Sequence, residues 1–260
     1  MPPRAEGTTG GDDASRVARI WELVSAQAAS RRDHAGITDV CAAAATSVDV
    51  SGAWVIAGDG TKPGQAMCAT DVVSESLAEV QITLGEGPCH DAAVYGVPVL
   101  AANLRTDSTA TRWAAFTDAA LRTGAAAVFA FPLRIGAIRV GVLGLYRDQE
   151  GPLNMFQLGD ALILADAATM VLLDAEARQA GDPFSGTGPA SQSPRLAAHH
   201  AEIYQATGML TEQLGVSISV AFARLRAYAY AQDRRLSEVA HDIVTRRLRL
   251  DPDPRCDGQT

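Results

Sequence analysis

The stretch AFARLRAYAYAQDRRL, residues 221–236, places two guanidinium groups and two phenol rings on one helix-length segment. Arg226 and Tyr230 are four residues apart, as are Arg224 and Tyr228. On a helix each pair is stacked one above the other, and the two pairs fall on opposite flanks of the apolar stripe Ala221, Phe222, Leu225 and Ala229. A guanidinium offers charge and a planar fork for phosphate. A tyrosine ring offers a face on which an unpaired base can stack. Together they suit the single-stranded loops of RNA. Arg235 adds a cation in the turn that follows. A solvated helix whose arginine stems cover apolar surface explains the same composition equally well.

Other chemistry is sparse. No GxSxG, HExxH or phosphate-cradling Gly-rich motif occurs, and no Cys/His set has metal spacing. The sequence therefore predicts no enzyme, no metal and no resident cofactor. Cys89-His90-Asp91 is the nearest thing to a reactive cluster, but consecutive residues diverge and cannot form a nucleophile–base array. LGEGPC (84–89) reads as a Gly/Pro loop. Gly87 and Cys89 are its candidates for lining a small-molecule pocket. Gly208 sits in mid-helix opposite an apolar stripe. Its cost of about 1 kcal/mol relative to Ala suggests close approach of a ligand to the backbone there.

These residues need scaffolds to position them. The chain has 260 residues, enough for two domains. Residues 1–14 are Gly/Pro/Asp-rich and read as disordered. Helical spacing begins at Ser15, and a second helix is expected over 37–47. Strand character appears at 52–58, 65–71, 96–103, 126–135 and 139–148, with helices at 74–85, 112–124 and 154–180. This mixture predicts an α+β domain over 15–180, one antiparallel sheet flanked by helices. The long helix has two apolar seams, Leu158/Ala165/Leu172 and Ile163/Met170/Ala177. Two seams need two partners, and a homodimer supplies the second. Residues 181–194 read as a Gly/Pro/Ser linker. Three amphipathic helices within 195–250 form an all-α bundle, and 251–260 is a polar tail.

Charge divides along the same boundary. Net charge is −8 overall, but residues 1–194 carry 13 basic and 22 acidic residues, whereas 195–249 carry 8 basic and 5 acidic. A balance of −9 beside one of +3 excludes general nucleic-acid stickiness and points to a specific anionic partner for the bundle. The four cysteines form no CxxC pair. No basic-then-apolar leader and no uninterrupted membrane span is read, so a reducing cytoplasm is expected.

The order ATGML (206–210), AFARLRAYA (221–229) and RRLSEVAHDIV (234–244) resembles the ANTAR domain, an RNA-binding three-helix module of bacterial antitermination regulators. Ala206, Gly208, Ala221, Phe222, Leu225, Arg226, Leu236, Val239 and Ala240 match its motif. Thr207 stands where many members carry Lys, and Thr211 where Met is frequent. LGEGPCHDA (84–92), GVPVLAANL (96–104) and GVLGLYRD (141–148) resemble a GAF domain, a sensory fold that binds small molecules and dimerises through helices. The pairing implies a dimer that binds two hairpins in a nascent mRNA leader and keeps a terminator from forming, with RNA polymerase in the elongation complex nearby. The implied RNA contacts are Gly208, Arg224, Arg226, Tyr228, Tyr230 and Arg235. The other reading is a ligand-sensing signalling dimer whose basic bundle docks on a protein.

Overall fold

The computed structural model describes residues 9–31, 35–58, 64–180 and 194–250. In chain order the elements are α1 (Thr9–Arg31), α2 (Ile37–Ser47), β1 (Gly52–Ala57), β2 (Gln65–Ala69), α3 (Val72–Leu84), α4 (Pro88–Tyr95), β3 (Val99–Ala101), α5 (Asp107–Arg112), α6 (Ala114–Arg122), β4 (Ala127–Ile135), β5 (Ile138–Arg147), α7 (Met155–Ala180), α8 (Pro194–Leu214), α9 (Ile218–Ala231) and α10 (Leu236–Val244).

The strands make one antiparallel sheet in the order β2-β1-β5-β4-β3. Alternation along each strand builds a core on both faces. Ala53, Val55, Phe129, Phe131, Leu143 and Leu145 join α1, α2 and α7 on one side. Trp54, Ile56, Val128, Ala130, Val142 and Tyr146 join α3 to α6 on the other. Gly144 pairs directly with Trp54, and a Cβ there would lie 2.2 Å from the indole Cε2. The glycine makes room for the largest side chain of the sheet.

Several elements differ from the sequence expectation. The first helix starts at Thr9, so the expected disorder over 1–14 is too long, and residues 1–8 lie outside the described part. Extending a helix already nucleated costs far less than starting one. The expected loop 84–89 ends in a helix, α4, with Pro88 in its first turn and Gly96 closing it in the left-handed region. The helix expected at 112–124 is present as α6, and a short helix not expected, α5, precedes it; the two meet at Trp113, whose φ −138° and ψ 68° are not helical. Cys41 of α2 and Cys68 of β2 are joined as a disulfide, where reduced thiols were expected. Cys89 is free and buried.

The second apolar face of α7 is covered only in part within the chain, since Met170 and Ala177 of that seam stay exposed. α1 and α2 both pack on α7, and Arg16 and Arg19 reach Asp160 at 3.5 and 2.6 Å. Ile163, expected on the partner-facing seam, packs partly buried against the same core as Leu158. Leu162 and Met170 remain exposed. By length and composition α7 could cross a membrane, and half of that stretch is buried within the fold.

The expected linker falls mostly outside the described residues, which resume at Pro194, the first position of α8. α8, α9 and α10 close on a third core of Ala206, Leu210, Leu225, Ala229, Val239 and Ile243 among others, with Leu250 completing it. Gly215, at φ 63°, ends α8, and Ser217 caps α9 by accepting from Val220 N. The expected polar tail, 251–260, lies outside the described residues.

Candidate nucleic-acid interface

The bundle rests on the first domain, with α8 against β2 and α9 against α3. Ile82 of α3 belongs to both cores, packing against the sheet-side cluster and against the bundle. Docking follows from how the two domains end their helices. The last carbonyls of α3 lack helical partners, and Arg226 Nε donates to one of them, Thr83 O. The first N–H groups of α10 are equally unpaired. Glu79 supplies their acceptor: its Oε1 takes hydrogen bonds from Ser237 N at 2.9 Å and Ser237 Oγ at 2.6 Å. A cation at a helix C-terminus and an anion at an N-terminus are each in the favourable place for the helix dipole.

This docking divides the Arg–Tyr pattern. Arg226 is half-buried, its guanidinium 5.9 Å from the Phe222 ring centre. Burial lowers its pKa from the ordinary arginine value. An added Cβ at Gly85 would lie 2.2 Å from its Nη2, so the guanidinium sits directly against the bare end of α3. Tyr230 is exposed but lines, with Arg226, a groove against Thr83, Leu84, Glu86 and Ala115. Arg224 and Tyr228 occupy the opposite flank, both partly buried, with Tyr228 packed on the bundle core. In this docked arrangement the first domain holds Arg226, one of the implied RNA contacts.

Arg235 is the N-cap residue of α10 and partly buried. Its neighbour Arg234 hydrogen-bonds Asp242 at 2.7 Å and thereby holds that carboxyl below its usual range. Gly208 is exposed, and an added Cβ would meet nothing within 4 Å. No group among the described residues packs on the glycine, so its face is open.

Gly87 and Cys89 serve packing first. Gly87, at φ 122°, is the N-cap of α4, and a Cβ there would lie 2.7 Å from Gln81 Oε1. That same oxygen accepts from Cys89 N at 2.7 Å. Burial pushes the Cys89 thiol up to about 12, against smaller opposing effects of Gln81 and Trp54, which keeps it out of the thiolate form. Glu79, Thr83 and Ser237 were not singled out from sequence. Among the described residues no group of His, Cys, Asp and Glu could hold a metal ion.

The GAF domain family matches residues 32–173, and the ANTAR domain family matches residues 195–244. The chain belongs to the GAF family and carries an ANTAR domain at its C-terminal end. This GAF–ANTAR protein thus joins a sensory domain to an RNA-binding domain of the antitermination type. No curated protein matches it. Among solved structures, the GAF domain from an Acinetobacter phosphoenolpyruvate-protein phosphotransferase has a TM-score of 0.49 at 15% identity, covering 65% of this chain and 98% of that one. The GAF domain of a phosphoenolpyruvate-protein phosphotransferase from Coxiella burnetii has a TM-score of 0.47 at 12% identity, with 66% and 99% covered. A domain of a Sinorhizobium meliloti 1021 two-component sensor histidine kinase protein has a TM-score of 0.45 at 17% identity, with 55% and 91% covered. Similarity this remote says nothing about ligand or partner.

Proposed function

We propose that the GAF–ANTAR protein is a non-enzymatic, cytoplasmic transcription antitermination regulator that binds hairpin loops in nascent mRNA as a homodimer, near RNA polymerase in the elongation complex. Arg224, Arg226, Tyr228, Tyr230 and Arg235 contact the RNA, with the open backbone face at Gly208 beside them. The observation that carries the reading is the Arg–Tyr interleaving of α9 on an ANTAR bundle of +3 balance. Full use of Arg226 requires the bundle to leave the GAF domain, so RNA binding is the undocked activity. One observation favours the second reading, a bundle that docks on protein: here it does dock on protein, its own GAF domain. A gel-shift comparison of hairpin RNA and duplex DNA, together with pull-down of protein partners, decides. Hairpin-selective, salt-sensitive binding is expected, whereas equal binding to duplex DNA or none to either sinks the RNA reading.

A further inference from the structure

Between the two domains lies a cleft of about 250 Å³, at the margin of the core that Trp54, Trp113 and Phe116 fill, to which its wall residues Ile56, Cys89 and Val142 belong. Ile56, Ile82 and Val142 wall it from the GAF side and Phe222 from the ANTAR side, with Arg226 and His90 as its cationic or titratable members. None of the described residues lining it is acidic, in a chain with 30 carboxylate side chains. Arg226 makes no ion pair among the described residues. Its hydrogen bond goes to a neutral carbonyl. Glu86 shares the adjoining groove with Arg226, but its Oε1 is engaged by Phe116 N, so a half-buried guanidinium with no ion pair among the described residues keeps its fork for an anion. Its fork matches a carboxylate in two-point geometry. The volume is just under the roughly 300–1,000 Å³ of pockets for drug-sized ligands, which suits one ring and its substituent.

We propose that this interdomain cleft binds a small planar aromatic carboxylate, its ring between the apolar walls and its carboxylate on Arg226. Both domains wall the site, so it exists only while they are docked. A ligand there favours the docked state by its own binding free energy. It therefore acts against RNA binding, a consequence that rests on the RNA reading above, whereas the site itself does not. A ligand confined to the docked form, at a hundred times its Kd, weakens apparent RNA affinity by up to about 100-fold.

The test uses the full chain. Benzoate, salicylate and indole-3-carboxylate are titrated in thermal melts, each against its neutral amide. At least one acid should raise Tm in a dose-dependent way that its amide does not. The shift should vanish in Arg226→Gln, which removes the anchor, and in Ala223→Leu, which fills the cleft from α9 and leaves the arginine in place. No acid exceeding its amide, or a shift that survives either substitution, overturns the site. The effective acid is then added to a hairpin-RNA titration. Weaker RNA binding is expected, and unchanged RNA affinity overturns the regulatory half. A chain that binds no hairpin with or without the acid sinks the RNA reading and that half with it, while the melts still decide the site.

Discussion

Arg226 closes the end of α3 on the GAF side, and in the proposed reading the same planar cation, four residues from Tyr230, contacts RNA once the bundle undocks. Arg226→Ala should cost about 1–3 kcal/mol of hairpin affinity measured on the undocked bundle, while the bundle melts within about 1 kcal/mol of wild type because the residue flanks the core. Leu225, fully buried, should do the reverse: Leu225→Ala loses about 2–5 kcal/mol of stability through the cavity it leaves. Binding and melting curves on both variants separate the roles. Cys89 gives a second residue-level test. Its folded pKa of about 12 lies above the ordinary thiol value of about 8.5. Folding therefore favours the neutral thiol. That stability is complete below about pH 8.5 and is lost as pH rises towards 12. In a Cys256→Ser background, native Cys89 should react with a thiol reagent at mildly alkaline pH orders of magnitude more slowly than the unfolded chain. Rapid native labelling would show the thiol to be accessible and ionised.

At the scale of elements, α3 is where the two domains meet. Asp71 caps its start by accepting from Ser74 N at 2.8 Å, its last turn receives Arg226, and Glu79 on its outer face caps α10. Glu79→Ala should weaken docking by about 1–3 kcal/mol, the scale of hydrogen bonds to a charged group, with partial exposure placing it towards the lower end. Amide exchange at the start of α10 should quicken and hairpin affinity should rise; unchanged exchange at Ser237 would mean the contact holds nothing. Which elements were readable follows from how they signal. β4 is an unbroken apolar run, β5 alternates around two glycines, and α8 to α10 each carry a single apolar stripe, so all five were expected. PCHDAAVY has almost no stripe, and only Pro88 and Gly96 at its ends betray α4. Phe222 and Arg226 were legible as residues of the bundle, but nothing in a linear pattern tells that Ile82 serves both cores or that Glu79 and Thr83 meet α10 and α9, so the docking surface was invisible from sequence.

For the whole molecule, an acidic body holds a basic bundle, −9 against +3, so added salt should loosen docking as well as RNA contacts. On the second seam of α7, Ile163 packs inward while Met170 and Ala177 stay exposed. Leu162 and Met170 are the large hydrophobic side chains exposed on that helix's middle stretch. If they meet a second copy, the double substitution Leu162→Glu with Met170→Glu should convert a dimer to a folded monomer in light scattering. A wild-type chain that already runs as a monomer at micromolar concentration would remove the dimer from the reading.

Gly85 lets the end of α3 receive a guanidinium at a distance that no side chain would permit. Any other residue there works as a wedge the size of a single methyl group. Its left-handed backbone, at φ 66°, adds about 1 kcal/mol of strain for alanine. The arginine is the more yielding party, since its flexible end can swing away while the helix cannot. Gly85→Ala should thus uncouple input from output without touching either: a GAF domain that still folds, an ANTAR domain unable to hear it, and hairpin binding that no longer responds to the ligand. A genetic screen for permanently active alleles should find this codon early.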